Sequence, residues 1–304
     1  MRLLVTGGTG FIGAETVRQA LARGDEVAVA SRAPLETGRL RALAGRLVHI
    51  PCDLDTASID RDRTVAFAPD ALLHFGWAGV GGAERNDVAQ LRNAYATGVI
   101  AEVAAQAGAR ALIGFGSQAE YGRCEGRVDE DRPARPETLY GIAKLAAGAS
   151  LLQIAARHDL RGAWGRIFST YGAGGDPRTL IPSLLEGFTR GVAPELTRCE
   201  QVWELLHVED AARAALALAE SEPAAGLFNI GSGAARSLRE IVLLLRDLAA
   251  PAIEPRFGAL PYRHDQVMHL EADIGRIIGA TGWRPRVSLE RGFAALAAQM
   301  RRAA

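Results

Sequence analysis

The chain has 304 residues, with 35 basic and 35 acidic side chains and a formal net charge of zero. Its length fits a two-lobed enzyme better than one simple core. Neutral charge without a run of five like charges gives no sign of a nucleic-acid or membrane partner. Three scattered cysteines form no CxxC pair, so we expect reduced, packed thiols and no metal site. Met1 runs directly into a predicted strand, and no apolar stretch approaches the ~20 residues that span a bilayer, so we expect a cytoplasmic protein.

Short apolar runs alternate with helical patterns through the first 168 residues. The predicted strands are Arg2–Thr6, Val27–Ala30, Leu47–Ile50, Ala71–Phe75, Ala111–Phe115 and Ala163–Phe168. The predicted helices are Phe11–Arg23, Asn86–Ala107 and Thr138–His158. Apolar strands alternating with helices are typical of a doubly wound parallel α/β sheet, the Rossmann architecture.

The pattern changes after Thr170. The predicted elements are helices at Leu180–Arg190, Val208–Ala219, Leu238–Ala250 and Leu289–Arg301 and a strand at Leu227–Ile230. We predict a dinucleotide-binding domain from residues 1–168 plus about 205–231. A second, smaller α/β substrate lobe is predicted from about 169–204 and 232–304.

A glycine-rich turn, Gly8-x-Gly10-x-x-Gly13, follows the first predicted strand and opens the first helix. Glycines let backbone amides and a helix N-terminus reach a pyrophosphate, which the helix dipole also favours. The turn therefore predicts a dinucleotide site, and the alternative is a glycine-rich turn that only packs strand on helix. The cofactor contacts assigned to this turn are Gly7, Gly10, Phe11, Ile12 and Gly13.

The end of the second predicted strand bears on which dinucleotide binds. An acidic residue there would hold a ribose 2′-hydroxyl, but this chain has Ser31-Arg32. A hydroxyl and a guanidinium suit a 2′-phosphate, so NADP(H) is favoured over NAD(H), which stays possible. The alternative is an Arg32 that only faces solvent. Asp53-Leu54 could contact the adenine, or Asp53 could be an ordinary turn aspartate.

Tyr140 and Lys144 stand at i and i+4 on one face of a predicted helix. A nearby cation lowers the pKa of a phenol, which makes Tyr140 a candidate acid and base near neutrality. Ser117 ends the fifth predicted strand, at the sheet edge where ligands bind.

With these motifs the chain resembles the extended short-chain dehydrogenase/reductase family, in its NAD-dependent epimerase/dehydratase branch that acts on nucleotide sugars. The matching segments are Thr6–Gly13, Asp53-Leu54, Asn93, Ser117, Glu120-Tyr121-Gly122, Tyr140, Lys144, Tyr171-Gly172, Asn229-Ile230-Gly231 and Gly282–Pro285. The resemblance implies the catalytic roles. Tyr140 moves the proton on a sugar oxygen, Ser117 hydrogen-bonds that oxygen, and Lys144 anchors the nicotinamide ribose. Asn93 is implied to support the lysine through water. The resemblance also places Phe75, Gly76 and Ile167 at the cofactor.

The chain departs from this branch at several positions. Gln118-Ala119 stand where dehydratases carry Asp-Glu, so dehydration is not expected. Trp77 either projects toward the substrate or packs in the core. Ser169 and Trp203 replace residues that help to hold the nucleotide, which puts its identity in doubt.

Two arginines could still bind an anionic group of the substrate. Arg263 matches a diphosphate-binding arginine, and Arg178 either reaches the same group or is solvated. The residues predicted to bind substrate are Trp77, Gln118, Ser169, Arg178, Trp203 and Arg263.

These observations favour an NADPH-dependent reductase of a nucleotide-activated 4-keto-6-deoxyhexose. One alternative is a 4-epimerase of a nucleotide-activated hexose that keeps NAD tightly bound. A non-catalytic dinucleotide sensor and a reductase of non-nucleotide ketones are more remote. The resemblance implies a homodimer formed through the helices that contain Asn93 and Tyr140.

Overall fold

A computed structural model describes residues 1–263 and 266–303. The strands in this part of the chain are β1 Arg2–Thr6, β2 Glu26–Ser31, β3 Val48–Asp53, β4 Ser58–Ile59, β5 Ala71–His74, β6 Ala111–Ser117, β7 Gly126–Val128, β8 Arg161–Ile167, β9 Thr170–Tyr171, β10 Glu195–Leu196, β11 Val202–Glu204, β12 Leu206–His207, β13 Gly226–Ile230, β14 Ala235–Ser237, β15 Arg256–Phe257 and β16 His269–Ala272. The α-helices are α1 Phe11–Ala22, α2 Arg61–Phe67, α3 Gln90–Gln106, α4 Leu139–Arg157, α5 Leu180–Thr189, α6 Val208–Glu220, α7 Leu238–Ala249, α8 Gly275–Thr281 and α9 Leu289–Ala303.

The main sheet has the order β3-β2-β1-β5-β6-β8-β13, with every neighbouring pair parallel. The short β4 extends it antiparallel beside β3. Helices α1 and α6 contribute to the apolar core on one face, and α2, α3 and α4 to the core on the other. Burial of both faces explains why the strands are apolar along their whole length. The predicted doubly wound fold is confirmed.

A second group of elements is interleaved in the chain with the last strands of the main sheet. β14, β11, β16 and β7 form a four-stranded sheet, while β10 and β15 pair separately. α5, α7 and α9 enclose their own core around Leu185, Ile241 and Phe293. The domain boundaries remain a prediction. Two segments cross them, since β7 joins the second sheet and Ile277 of α8 packs in the core of the main sheet.

Helix α4 carries two of the predicted catalytic residues. It begins where the Thr138 side chain accepts a hydrogen bond from the Gly141 amide. The sequence was expected to hold no apolar stretch near bilayer length. Within the described residues, α4 alone is long and apolar enough to cross a membrane by length and composition. It packs against α3, β6 and β8, and this packing accounts for its small and apolar residues.

Candidate active site

Two adjoining clefts, of about 240 and about 450 Å³, follow the carboxyl edge of the main sheet. Gly7, Gly10, Phe75 and Trp77 line both clefts, so the two form one groove. Such an edge is the ligand-binding edge of a doubly wound sheet. The smaller cleft is called the adenosine end and the larger one the catalytic end.

The glycine turn occupies the middle of this groove. Gly7 has a φ of +65°, and a Cβ there would lie 2.6 Å from the Gly76 amide nitrogen. A Cβ at Gly13 would collide with the Gly7 carbonyl oxygen. No side chain caps α1, and no acidic residue stands in its first turn. The free amides and the positive end of the helix dipole fit a pyrophosphate.

The adenosine end is lined by Ser31, Arg32 and Leu54. The Ser31 hydroxyl donates to the Ala33 carbonyl at 2.8 Å. Arg32 donates to Asp55 at 2.9 Å, and its guanidinium lies 4.0 Å from Asp53. Arg32, the residue predicted to bind a 2′-phosphate, is therefore already paired with carboxylates. Their negative charge offsets its attraction for a 2′-phosphate.

The predicted catalytic residues lie together at the catalytic end. Ser117 is the last residue of β6, and Tyr140 and Lys144 lie in the first turns of α4. The Ser117 hydroxyl donates to Gln118 Oε1 at 2.8 Å, and Lys144 Nζ donates to the Phe115 carbonyl at 2.7 Å. Ile167 at the end of β8 lines the same cleft.

Burial controls the protonation of this group. Desolvation lowers the pKa of Lys144 to about 7, although the charge of Glu120 opposes that shift. Desolvation also raises the pKa of Tyr140, opposite to the lowering expected from a nearby cation, and the nearby Ser117 and Arg85 oppose the rise. Tyr140 is therefore a neutral phenol at neutral pH, which suits a proton donor.

Asn93 acts directly on the loop after β5. Its Oδ1 accepts from the Ala78 amide at 2.9 Å, and its Nδ2 donates to the Ala78 carbonyl at 3.0 Å. Both bonds fix the backbone beside Trp77. The implied water link to the lysine remains a prediction, whereas the clamp on Ala78 is a contact that the sequence did not suggest.

Glu120 is a fully buried carboxylate beside the site. It accepts from the Ser117 amide at 2.9 Å, from Trp164 Nε1 at 3.0 Å and from Arg166 Nε at 2.8 Å. These bonds fix the backbone of Ser117 and use both carboxylate oxygens. Glu120 is therefore not free to act as a base on a substrate.

Ser169 and Trp203, the two residues whose identities were expected to affect nucleotide binding, contact each other. Trp203 Nε1 donates to Ser169 Oγ at 2.7 Å. Both line a cavity of about 440 Å³ together with Arg263 and Gln201. Gln201 is 7% exposed, and its Oε1 has no hydrogen-bond partner. Gln201 is thus a residue of the cavity wall with a buried acceptor that lacks a partner.

The other residues predicted to bind substrate lie in different places. Gln118 lines the catalytic end, and Trp77 lies over Lys144. Arg178 is exposed and paired with Asp176, and it is not among the residues that line these cavities.

Three polar residues of the site were not predicted from the sequence. Arg85 lies over the Tyr140 ring at 4.6 Å, Gln90 accepts a hydrogen bond from Trp77, and Gln201 lines the cavity beside Ser169 and Trp203. The only signal for Gln201 was its place two residues before Trp203 in a segment already singled out. Arg85 and Gln90 resemble ordinary solvated residues at a helix start.

A doubly wound sheet with a glycine turn and a Ser–Tyr–Lys set at its carboxyl edge defines the short-chain dehydrogenase/reductase class. Residues 3–231 match the model of the NAD dependent epimerase/dehydratase family. The chain belongs to this family, and the resemblance seen in the sequence is confirmed.

Three similar proteins illustrate the family. The dTDP-glucose 4,6-dehydratase of Streptomyces griseus is 29% identical over 97% of this chain and 93% of its own. The dTDP-6-deoxy-L-talose 4-dehydrogenase (NAD(P)(+)) of Kitasatospora kifunensis is 27% identical over 95% of this chain and 92% of its own. The solved structure of MoeE5 in complex with UDP-glucuronic acid and NAD has a TM-score of 0.84 at 29% identity and covers 100% of both chains.

Proposed function

We propose that the protein is an NADPH-dependent reductase of nucleotide-activated 4-keto-6-deoxyhexoses. The observation that carries this proposal is a neutral Tyr140 phenol beside Ser117, with no free carboxylate next to them among the residues that the structure describes. Gln118 and Ala119 follow Ser117, and the adjacent carboxylate of Glu120 is held by Arg166 and Trp164. Elimination of water needs an acid and a base on the sugar, while reduction of a ketone needs one proton donor.

The proposed reaction uses one hydride and one proton. When bound, the dihydronicotinamide supplies the hydride to C4 of the sugar. Tyr140 donates its phenolic proton to the oxygen at C4, so the ketone becomes an alcohol. Ser117 holds the same oxygen by a hydrogen bond, and the Lys144 ammonium lies beside the phenol and favours the phenolate that remains.

The preference for NADPH rests on Ser31 and Arg32. The Arg32 side chain is 65% exposed, so a 2′-phosphate can reach it once its bond to Asp55 breaks. A guanidinium fork then pairs with the phosphate. The preference is tested by comparing the two reduced cofactors.

A second candidate is a 4-epimerase that keeps NAD bound. The carboxylates of Asp53 and Asp55 near Arg32 favour this candidate, because they repel a 2′-phosphate and suit a ribose hydroxyl. MoeE5, which was solved with NAD, supports the same cofactor.

The proposed substrate is a nucleoside diphosphate sugar. The cavity beside Ser169 and Trp203 would take the nucleotide, with Arg263 at the diphosphate and Gln201 as an acceptor for a base or ribose donor. We also propose a cytoplasmic homodimer formed through α3 and α4, where Leu91, Tyr95 and Ile142 are exposed apolar residues.

The test begins with the purified protein and its extracted cofactor. NADPH and NADH oxidation are then followed against a panel of nucleotide-activated 4-keto-6-deoxyhexoses. A separate assay follows interconversion of UDP-glucose and UDP-galactose. We expect NADPH oxidation that requires a keto sugar. Bound NAD at near-unit stoichiometry with sugar interconversion would overturn the reductase proposal in favour of the epimerase, and inactivity in all assays would overturn both.

A further inference from the structure

The indole of Trp77 lies against the amino group of Lys144. The Lys144 Nζ atom is 3.8 Å from the centre of the indole ring, and Lys144 is 5% exposed. The ring of Tyr140 meets the same indole edge-on, with centroids 5.9 Å apart. Trp77 thus contacts both α4 residues of the catalytic set and lines the groove at the same point.

Residues of α3 fix this indole in place. Trp77 Nε1 donates to Gln90 Oε1 at 2.8 Å, and Gln90 also donates to the carbonyls of Gly79 and Glu84. Asn93 clamps the backbone of the next residue, Ala78, through both its donor and its acceptor. Gln90 and Asn93 are 2% and 4% exposed. An indole held from its own N–H and from its neighbouring backbone is a built surface rather than a loose core side chain.

The buried ammonium needs such a surface. Burial removes water from Lys144, and the Phe115 carbonyl accepts only one of its three protons. The negative face of an indole attracts a cation most strongly where water is excluded. The other groups that face Lys144 are Glu120, which favours the charged form, and His74, which burial keeps neutral at physiological pH.

We propose that Trp77 is a positioning residue that replaces water around the Lys144 ammonium and holds it, charged, beside Tyr140. The proposal deepens the oxidoreductase function proposed above, because Lys144 assists the proton transfer of Tyr140 only while it is charged. The indole is then part of the catalytic end of the groove, neither a substrate lid nor inert packing.

Lys144 is the only lysine in the sequence, which makes the proposal directly measurable. Protein carrying isotope-labelled lysine gives one set of side-chain NMR resonances, and these are titrated with pH in the absence of cofactor and substrate. The matched pair is Trp77→Phe and Trp77→Leu. Both variants are smaller than tryptophan and lose the bond to Gln90, but only phenylalanine keeps an aromatic face.

We expect the Lys144 Hε resonances of the native protein to be displaced upfield by the indole ring current. Part of the displacement should remain in Trp77→Phe, and most of it should be lost in Trp77→Leu, where the remaining ring is that of Tyr140, 6.0 Å from Lys144 Nζ. The Lys144 pKa in Trp77→Leu should lie about 0.5–1 pH unit below that in Trp77→Phe, since such a difference corresponds to about 0.7–1.4 kcal/mol, which lies within the range of cation–π energies.

Undisplaced Hε resonances in the native protein would overturn the proposal, and they decide it even if Trp77→Leu fails to fold. Equal pKa values in the two folded variants would also overturn it. The titration needs neither substrate nor turnover. A keto-sugar assay that fails while the NMR result holds therefore counts against the proposed reductase alone.

Discussion

Replacing Glu120 by Gln tests whether one buried ion pair supports both the fold and the catalytic serine. Glu120 and Arg166 are 0% and 3% exposed at their side chains. One carboxylate oxygen accepts from the Ser117 amide and from Trp164, and the other accepts from Arg166. An amide offers a single oxygen, so in either orientation its NH₂ group faces a donor. The Arg166 guanidinium also loses its anionic partner.

The expected cost follows from that geometry. Removing one partner of a buried ion pair typically costs about 3–5 kcal/mol, because the remaining charge stays buried. Domains of this kind have a total free energy of unfolding of about 5–15 kcal/mol. Glu120→Gln should therefore remove roughly a third of the stability. In the orientation that keeps an acceptor for Arg166, the Ser117 amide loses its own acceptor, so turnover should also fall.

Urea unfolding at neutral pH measures the effect. The matched control is Glu102→Gln, which breaks the pairs of Glu102 with Arg157 and His158 at the surface, where Glu102 is 24% exposed. A surface pair contributes about 1 kcal/mol or less. If the two variants lose equal stability, the reasoning about the buried pair is wrong.

Three further predictions concern single groups. Tyr140→Phe should lower kcat by about 10²–10⁴ while leaving nicotinamide binding intact, as measured by turnover and by cofactor titration, because only the proton donor is removed; unchanged turnover would show that Tyr140 is not the proton donor, and unchanged cellular function would favour a sensor. Arg32→Ala should raise the KM for NADPH about 10-fold or more and leave that for NADH nearly unchanged, since a charge-assisted bond to phosphate is lost; parallel changes for both cofactors would contradict the assignment. Burial raises the pKa of Glu204 from 4.5 to about 7, so the folded protein holds this proton more tightly than the unfolded chain. The free energy of unfolding should therefore fall as the pH rises from about 4.5 through 7. Glu204→Gln should flatten the stability profile by about 2–3 kcal/mol between about pH 5 and 8 in urea unfolding, and an unchanged profile would exclude this role.

The elements that the sequence predicted are those whose signals are local. The apolar runs of β1 and β6 predict buried strands, and Thr138 before an apolar helix predicts the start of α4. The helix predicted from Asn86 instead begins at Gln90, because residues Ala83–Asn86 form a separate 3₁₀ turn.

The missed elements depend on distant partners. α2 and α8 have seven residues each, too few to show a helical period or to be stable alone. The strands of the second sheet have three or four residues, and their pairing joins β7 to β16 across nearly half the chain. Such pairings follow from tertiary packing and leave no local pattern.

The site also has a part that could be predicted from the sequence and a part that depends on tertiary packing. Topology alone brings Gly7, Ser117 and Ile167 to one edge, because each ends or follows a parallel strand. The contact of Trp77 with Lys144 and that of Ser169 with Trp203 could not be predicted, since each joins side chains from different elements. The pairing of Arg32 with Asp55 likewise depends on the approach of two separate loops.

The motif Glu120-Tyr121-Gly122 is visible in the sequence, but its role follows only from its contacts in the structure. In the sequence it is only a marker, as is Asn229 more than a hundred residues later. In the structure Glu120 completes a capping box with Ser117, and the Tyr121 hydroxyl donates to Asn229 Oδ1 at 2.7 Å. Asn229 in turn donates to the Val128 carbonyl, at the end of the strand that opens the second sheet. The two markers are thus one hydrogen-bonded network, which connects Ser117, the predicted catalytic serine, to the second sheet.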